Sequence, residues 1–530
     1  MKILSNAPWW LVSAGLHAVV LLGAALIYIE RAFAIETTDL PIVVRPPEPD
    51  RIPLDPIRDD AKHKGAKQNV EPDPNVDPNE KVIVFPGATF SNKNRSNDND
   101  PLHDEMKGQS KDFLSGTPGE AGGPSGRDRS KTPGWVSNIG IGKGGGGAGR
   151  YGGRFGSDKD TCIRENGGDP DAEGAVQAAL RWLARHQSAD GGWSAAGFGH
   201  RCAAGKCSGG GESDYDTGVT ALSLLAFLGA GYSQLSKDVV VDPAVPGQTL
   251  SYGDTMKRGL QWLIARQDPD GCVGERGMKH LYNHAIAALA LSEAYGMTSS
   301  AILLEPAQKS IDFLIAAQNP GKGWRYSARS GDNDTSVTGW AVMALKSAEL
   351  SGLKIPKSAY DGALNWLNEA TEQTGYYRVG YNARGTGKVF VPGKNEQFDH
   401  HESMTAVSVM SRIFISKKKD ATMTAVNYLV QDLPAWKPRQ VDFYYWYYAS
   451  LALFQYDGPK GPAWTKWNEP MKNAIVPHQK TAAAGCENGS WDPAMDRWGF
   501  EGGRVYAVAI NALTLEVYYR YAHVFGGSAK

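Results

Sequence analysis

The 530-residue chain has almost no net charge, because 56 Lys and Arg residues nearly balance 57 Asp and Glu residues. Without an excess of positive charge there is no electrostatic footprint for nucleic acid, and we expect no nucleic-acid partner. The glycine-rich run at residues 142–147 lacks the Gly-Lys-Ser/Thr ending of a phosphate-binding loop and has no buried strand before it. The sequence therefore predicts no nucleotide site and no cofactor.

Residues 35–155 contain little that can form a hydrophobic core. Residues 41–56 are rich in proline, residues 91–111 are polar and charged, and residues 140–156 are dominated by glycine. Such compositions favour extended or flexible chain over packed structure. We therefore predict a disordered tether over residues 35–155, which at random-coil dimensions spans about 60 Å.

One uncharged apolar run, residues 9–29, is long enough to cross a bilayer as a single helix. We interpret residues 1–34 as a single-pass anchor in the cytoplasmic (inner) membrane of a bacterial envelope, with the rest of the chain on the periplasmic side. A cleaved signal peptide is the alternative, because residues 32–34 have the small-x-small form of a cleavage site. Both interpretations place the later residues outside the cytoplasm.

Two polar residues interrupt this apolar run, Ser13 and His17, which lie one helical turn apart on one face. A histidine inside a membrane is costly and can change its protonation state, so it is a candidate for function. With the proline-rich segment that follows, the pattern resembles TonB-type energy transducers, and this resemblance implies ExbB/ExbD-type motor proteins as partners. A histidine near the interface, or bonded to a neighbouring helix, is the structural alternative.

A helix-turn unit recurs in register after the tether. Its helix runs from an aromatic residue to a glutamine five positions later, as from Trp182 to Gln187, and a Gly/Pro/Asp turn follows. The copies span residues 179–193, 259–271 and 310–324. A repeat of this regularity determines the architecture.

Each unit is followed by a second helix rich in Ala, Gly, Ser and Thr, whose small side chains allow close packing. We predict an all-α fold of six helical hairpins over residues 156–530, closing into a ring with the second helices inside. The fifth and sixth hairpins are degenerate, and an open solenoid is the alternative. The hairpins begin near Gly174, Thr255, Glu305, Ser358, Asp420 and Pro470.

The run from the aromatic residue through Gln to Gly-Gly-Trp, clearest at residues 182–193, resembles the QW repeat of squalene-hopene cyclases. The hairpin series is similar to the terpenoid cyclase and protein prenyltransferase superfamily over roughly residues 160–525. The resemblance implies a six-hairpin α/α toroid with a central cavity. It also implies that any chemistry lies where the inner helices begin.

Polar residues cluster at these predicted helix starts. We predict a catalytic group, with Asp332 and His401 as one acid-base pair, and a ligand-binding group. Capping of helices is the alternative, most strongly for Asp216 and Asp334, each of which precedes a Thr. The catalytic group is Asp332, Asp334, His401 and Glu402, and the ligand-binding group is Asp214, Asp216, Asn283, His284, Asp399, His400, Asp442, Tyr444, Trp446 and Arg504.

Few cysteines are present, five in all, and two of them, Cys202 and Cys207, lie in a loop of the first hairpin. We interpret this pair as a local disulfide, in keeping with an exported protein. Zinc held by both cysteines and His200 is the alternative, but no fourth ligand is evident, so we predict no metal site. The sequence does not pair Cys162, Cys272 and Cys486.

The catalytic residues of the resembling families are not reproduced. Squalene-hopene-type cyclases protonate an alkene with the middle Asp of an Asp-x-Asp-Asp-Thr-Ala segment, where this chain has Asn333. Prenyltransferases hold zinc with Asp, Cys and His; Asp442 matches the Asp, but Tyr444 stands in place of the Cys and no His lies near Tyr506. Residues 485–488 do not reproduce the Cys-Gly-Glu-Gln of thioester toroids.

These absences favour a membrane-anchored toroid that acts as a binding or structural module for a lipid, glycan or protein ligand. A terpenoid-cyclase-type enzyme acting on an isoprenoid is the second hypothesis. A carbohydrate-active toroid is the third.

Overall fold

The computed structural model describes residues 140–141 and 149–522, except residues 203–206, 246, 376–377, 386–393, 395–400, 417–421 and 439. The predicted anchor, with Ser13 and His17, and most of the predicted tether lie outside the described residues. Within the described part of the chain, none of the helices combines the length and hydrophobicity needed to cross a membrane.

The described residues are mostly helical, as predicted. The helices are α1 (Gly156–Glu165), α2 (Pro170–His186), α3 (Asp216–Gly229), α4 (Tyr252–Ala265), α5 (His280–Thr298), α6 (Ala301–Ala316), α7 (Thr335–Leu350), α8 (Lys357–Ala370), α9 (His401–Ser416), α10 (Met423–Leu429), α11 (Phe443–Asp457), α12 (Pro462–Ile475), α13 (Gly499–Leu515) and α14 (Val517–Arg520).

Helices α3, α5, α7, α9, α11 and α13 each pack against the next, and α13 packs back against α3 to close the circuit. Helices α3, α5, α7, α11 and α13 are buried along almost their whole length. Helices α2, α4, α8 and α12 bury one face only. This difference places the fully buried helices inside and the amphipathic ones outside.

Small residues let the inner helices approach closely. A Cβ atom at Gly339 in α7 would lie 2.3 Å from Cγ1 of Val407 in α9. Even an alanine at this position would force the Val407 side chain or the two helices to shift. Gly339 is therefore a packing requirement of the contact between α7 and α9.

The repeated glutamine joins one hairpin to the next. Nε2 of Gln187 donates to the carbonyl oxygen of Gly191 in its own turn and to that of Thr255 at the start of α4, both at 2.8 Å. One buried amide therefore satisfies two carbonyls from neighbouring hairpins. Gln267 makes the same pair of bonds to Gly271 and Pro306, and Gln318 to Lys322 and Ala359.

The same bonds join the end of the fold to its beginning. Nε2 of Gln479 donates to the carbonyl oxygen of Gly489 at 3.0 Å and to that of Ala175 in α2 at 2.8 Å. Nε1 of Trp491 donates to a helix carbonyl at 2.8 Å, as Trp193 does in the first unit. An insertion between Gln479 and Trp491 hides this unit in the sequence.

The segment before α1 is part of this fold. Residues 149–154 form a 3-10 helix, and Arg154 is fully buried. Its Nη1 lies 2.6 Å from Oε1 of Glu293 in α5, which also pairs with Arg520 at 3.1 Å. Buried charges of this kind require partners. The folded part therefore begins before residue 156, the predicted boundary.

Within the described residues, two small antiparallel sheets accompany the helices of the predicted all-α fold. Strand β1 (Gly140–Ile141) pairs with β4 (Tyr521–Ala522), with Gly140 opposite Ala522. Strand β2 (Val239–Val241) pairs with β3 (Thr249–Ser251), with Val240 opposite Leu250. Each sheet has two strands, so the core is helical.

Candidate functional site

A cavity of about 260 Å³ lies where the inner helices begin. Side chains from α3, α5, α7, α9, α11 and α13 line it, together with loop residues, so it lies at the end of the ring expected from the sequence. Its wall is mostly aromatic and aliphatic, as in many small-molecule sites. The aromatic residues are Tyr215, Tyr282, Tyr326, Trp340, Tyr381, Tyr444, Trp498 and Tyr506.

A charged pair forms one edge of the cavity. Nζ of Lys279 lies 2.8 Å from Oε1 of Glu501 and also donates to the hydroxyl of Tyr215. Both charged side chains are partly exposed, at 32% and 21%. Burial, followed by the charge of Glu501, raises the pKa of Tyr215, so this hydroxyl stays protonated.

Three polar atoms of the cavity-lining residues have no hydrogen-bond partner among the described residues. They are Oδ1 of Asn283, Nε1 of Trp340 and the hydroxyl of Tyr506. By contrast, the hydroxyls of Ser336 and Tyr444 pair with each other at 2.7 Å. An unpaired buried polar atom costs about 1–3 kcal/mol, so a ligand that pairs with these atoms recovers free energy.

Among the predicted catalytic residues whose side chains the structure describes, Asp334 is held in a buried position near the cavity. Its Oδ1 accepts the backbone N–H of Val337 at 2.7 Å and so caps α7. Its Oδ2 has no partner within hydrogen-bond distance among the described residues. Burial raises the pKa of Asp334 to about 7, so the carboxyl is partly protonated at neutral pH.

Asp332 does not converge with Asp334. Its side chain is 72% exposed and lies 3.3 Å from Arg325 in an ion pair. Between the two aspartates, Oδ1 of Asn333 accepts a hydrogen bond from Asn319 at 3.0 Å, within the turn. None of these three side chains lines the cavity.

The predicted cluster at the start of α9 is described only in part. Asp399 and His400 lie outside the described residues, and so does the side chain of His401. Oε1 of Glu402 accepts a hydrogen bond from the hydroxyl of Tyr428 in α10 at 2.9 Å. Glu402 therefore contacts an outer helix and is not a cavity residue.

Two of the predicted ligand-binding residues, Asn283 and Tyr444, line the cavity. Asp214 is exposed, and Oδ1 of Asp216 accepts the backbone N–H of Ala195 at 2.7 Å. Trp446 is buried in the core, with its ring 5.7 Å from that of Phe443. Asp216 and Trp446 therefore have structural contacts, and none of these three residues lines the cavity.

His284 is also structural. Its Nδ1 accepts the backbone N–H of Val273 at 3.0 Å, and its Nε2 donates to the carbonyl of Ser310 at 2.9 Å. Burial lowers the pKa of His284 to about 4, so the ring is neutral. Thr338 accepts the corresponding N–H, that of Trp324, in the third unit. His284 therefore replaces a repeat threonine.

Asp442 belongs to a pair of carboxyl groups that the sequence did not reveal. Its Oδ1 accepts the N–H of Tyr445, and Oδ1 of Asp496 accepts that of Phe443, at 2.8 and 2.7 Å. Burial raises the pKa of Asp442 to about 6 and raises that of Asp496, where the charge of Asp442 adds to the effect. Both residues cap α11 and lie outside the cavity lining.

Arg504 is buried away from the cavity lining, although it was predicted to bind ligand. It pairs with Glu487 at 2.9 Å and donates to the carbonyl oxygens of Ser208 and Trp491. These contacts join loops of the first and last hairpins. Their role is to hold the ring closed.

The structure has Cys202 and Cys207 as free cysteines, where the sequence predicted a disulfide between them. They face a third cysteine, Cys486, and a histidine, His186, and the four ligand atoms lie within 4.8 Å of one another. The predicted histidine partner, His200, is exposed and outside this group. Sequence reasoning missed His186 and Cys486 because nothing in the sequence shows that the first and last hairpins meet there.

We call these four residues, His186, Cys202, Cys207 and Cys486, the seam cluster. Nε2 of His186 lies 3.2 Å from Sγ of Cys202 and 3.4 Å from each of the other two sulfurs. The pKa of Cys486 is lowered to about 3, first by its hydrogen bond with Cys207, whose own pKa is raised. The cluster has the ligand types of a thiolate metal site.

Several cavity residues were missed by the sequence, chiefly Tyr282, Tyr326, Tyr381 and Glu501. A signal existed for two of them: Tyr326 and Tyr381 each lie two positions after the residue whose N–H binds the inner-helix threonine. Their hydroxyls are hydrogen-bonded to each other. Aligning the repeat units at the residue whose N–H binds the threonine would have identified this pair.

Residues 247–431 match the model of the squalene-hopene cyclase C-terminal domain. No curated protein matches the chain in sequence. Among solved structures, the GH76A alpha-1,6-mannanase from Salegentibacter sp. HEL1_6 is similar with a TM-score of 0.42 and 12% identity, covering 66% of this chain and 97% of that one. The type II terpene cyclase MstE from Scytonema is similar with a TM-score of 0.39 and 12% identity, again covering 66% and 97%. The resemblance predicted from the repeats is confirmed: the chain carries a squalene-cyclase-like α/α toroid.

Proposed function

We propose that this protein is a membrane-anchored envelope protein whose six-hairpin toroid binds a small amphipathic ligand without transforming it. The aromatic cavity supports this proposal most directly, because three polar atoms of its lining, on Asn283, Trp340 and Tyr506, have no partner within the described part of the chain. The anchor is residues 1–34, and residues before the toroid give it reach from the membrane.

The cavity limits the ligand. At about 260 Å³ it is slightly below the range of about 300–1,000 Å³ that is typical of small-molecule pockets. It therefore suits a short molecule or one end of a longer one. Aromatic walls favour an apolar body, and the unpaired oxygens of Asn283 and Tyr506 favour a hydroxyl-bearing end. A prenyl alcohol has both features.

We infer the absence of catalysis from the residue that stands in place of the catalytic acid of the cyclases. The segment corresponding to the cyclase motif has Asn333 where the proton donor belongs, and an amide does not supply a proton. Asn333 is bonded to Asn319 in a turn and does not line the cavity. This position therefore has a structural use here.

A motor partner is part of the proposal. Ser13 and His17 are four positions apart, a spacing that would place them on one face of an anchor helix, and a protonatable histidine in a membrane suits coupling to an ExbB/ExbD-type complex. Such coupling would let the membrane potential move a toroid that holds ligand.

The test is ligand binding by the full-length protein extracted in detergent. Geraniol, a short prenyl alcohol, is compared with squalene, which has no hydroxyl, and bound and released molecules are identified by mass spectrometry. We expect geraniol to bind and be recovered unchanged. A new product of either compound, or equal retention of both, contradicts the proposal.

Tyr506→Phe and Tyr448→Phe form a matched pair for this test. Both hydroxyls are buried without a partner, but only Tyr506 lines the cavity. Loss of one hydrogen bond predicts a roughly two- to tenfold weaker affinity for geraniol in Tyr506→Phe. Tyr448→Phe should bind as the unchanged protein does.

The second candidate function is acid catalysis on an isoprenoid, favoured by Asp334. Its buried carboxyl has a pKa of about 7 and an Oδ2 without a partner among the described residues, so it is partly protonated at neutral pH and could donate that proton. Turnover that disappears in Asp334→Asn, where the amide oxygen still caps α7, would support this function over binding alone.

A further inference from the structure

The seam cluster joins the two ends of the ring. His186 ends α2, and Cys202 and Cys207 lie in the loop that follows it. Cys486 lies in the 3-10 helix Ala482–Glu487, between α12 and α13. The four residues all fall outside residues 247–431, the part of the chain that matches the cyclase family model.

We propose that the seam cluster is a structural Zn²⁺ site that clasps the first hairpin to the last. Three thiolates and one imidazole are a ligand set that zinc prefers, and four protein ligands complete its tetrahedron. No position is left for water or substrate. The role is therefore structural rather than catalytic.

The distances fit this assignment. With Zn–S bonds of about 2.3 Å and Zn–N bonds of about 2.0–2.1 Å, tetrahedral ligand atoms lie about 3.5–3.8 Å apart. Nε2 of His186 is 3.2–3.4 Å from the three sulfurs. No two of the four ligand atoms are more than 4.8 Å apart. Small side-chain shifts are enough to place one ion between them.

The surroundings orient the histidine as a metal ligand. Nδ1 of His186 lies 2.8 Å from the carbonyl oxygen of Trp182, which only accepts, so Nδ1 carries the proton. Nε2 is then the unprotonated nitrogen, and it faces the three sulfurs. The Trp182 ring stacks on the imidazole with centroids 4.0 Å apart. A bond to the second ring nitrogen is usual for zinc-bound histidines.

The loop that carries Cys486 is fixed independently. Nη2 of Arg185 donates to the carbonyl oxygens of Cys486 and Asn488 at 3.0 and 3.1 Å. Nη1 of the same residue pairs with Asp242, which is fully buried at its side chain. The backbone around Cys486 is therefore held beside α2. This places the Cys486 thiolate, the fourth ligand, at the site without a large loop movement.

The first measurement is the metal content of full-length protein after dialysis against metal-free buffer, by inductively coupled plasma mass spectrometry. We expect one zinc per chain. Cys486→Ser should reduce zinc at least tenfold, whereas Cys272→Ser should retain it, because Cys272 is buried outside the cluster. His186→Cys should also retain zinc, since it replaces one ligand with another.

Cobalt substitution tests the geometry without a variant. Protein loaded with Co²⁺ should show the strong absorption of tetrahedral cobalt and a sulfur-to-cobalt charge-transfer band. A zinc-free protein with a Cys202–Cys207 disulfide in its peptide map would overturn the proposal. So would iron in place of zinc, or unchanged zinc in Cys486→Ser. None of these outcomes depends on whether the cavity binds a ligand.

Discussion

The cavity and the seam cluster lie on the same ring but differ in how their polar atoms are bonded. Around the seam cluster, Arg185 and Arg504 each bond to loop carbonyls from the other end of the chain, and His186 has contacts at both ring nitrogens. Nε of Arg185 has no partner among the described residues, and the same holds for polar atoms of the cavity residues Asn283, Trp340 and Tyr506. What distinguishes the seam is its bonds between distant parts of the chain, which serve stability, whereas the unpaired atoms of the cavity belong to residues that a ligand can reach.

This comparison can be tested because unsatisfied groups and satisfied groups respond differently to substitution. Removing a partner from a satisfied group leaves a buried atom without its bond, which costs about 1–3 kcal/mol. Removing an unsatisfied group recovers part of its desolvation cost. Substitutions at the cavity should therefore stabilise the protein where those at the seam destabilise it.

The largest effect should come from the charge of Asp334. Its pKa is about 7 in the folded protein, against an ordinary value of 3.8, so the folded state binds a proton that the unfolded state releases between these pH values. The contribution of this carboxyl to the stability of the protein is therefore fully present below about pH 4 and is lost as the pH rises through 7. By linkage the loss is on the order of 4 kcal/mol.

The measurement is urea unfolding of the protein from pH 5 to pH 8, beside Asp334→Asn. The variant cannot titrate at this position and keeps a capping oxygen, so its stability should fall less steeply with pH. Asp442 and Glu516, whose pKa values are raised to about 6 and about 8, contribute slopes of the same sign in both proteins. Equal slopes in the two proteins would show that Asp334 does not titrate in this range.

The second effect concerns the closure of the ring between the last hairpin and the first. Gln479→Ala removes both bonds from its amide, to the carbonyls of Ala175 and Gly489. We expect the free energy of unfolding to fall by about 1–3 kcal/mol, because two carbonyls lose their partner. Urea unfolding monitored by circular dichroism measures it.

Gln431→Ala is the control for this substitution, because Gln431 is an exposed glutamine after α10. It should change stability by less than about 0.5 kcal/mol. A loss as large as that of Gln479→Ala would mean that the ring closure contributes nothing specific. If zinc content also falls in Gln479→Ala, the loop of Cys486 depends on the same closure.

The hairpins could be predicted from the sequence because one local pattern encodes them. The glutamines of the first three units bond four residues ahead, within their own turns, so the spacing from Trp182 to Gln187 and on to the turn is visible in the chain. The last unit was recognised poorly because its turn contains an insertion after Gln479. Gln479 keeps both hydrogen bonds of the repeat despite the insertion, but the sequence spacing of the repeat is lost.

The candidate sites could be predicted much less well, since they depend on contacts between distant residues. Cys486 lies 300 positions from His186, and no local pattern connects them. The prediction therefore paired Cys202 with its sequence neighbour Cys207. At the cavity end of the ring, the helix starts Asp216 and Asp334 were expected to act in the site or to cap their helices. Oδ1 of Asp334 caps its own helix, whereas Oδ1 of Asp216 accepts the N–H of Ala195 in a loop.

The smallest effect should come from Tyr506, and it has the opposite sign to that of Gln479. Tyr506→Phe removes a buried hydroxyl without a partner, so in the absence of ligand we expect the free energy of unfolding to rise by about 1 kcal/mol. Tyr448→Phe should give a similar rise, because its hydroxyl is equally buried and unpaired. Urea unfolding without and with geraniol separates the two: added ligand should stabilise Tyr448→Phe fully and Tyr506→Phe less. If Tyr506→Phe is instead destabilised without ligand, its hydroxyl already has a partner in the protein, and the cavity is then as well satisfied as the seam.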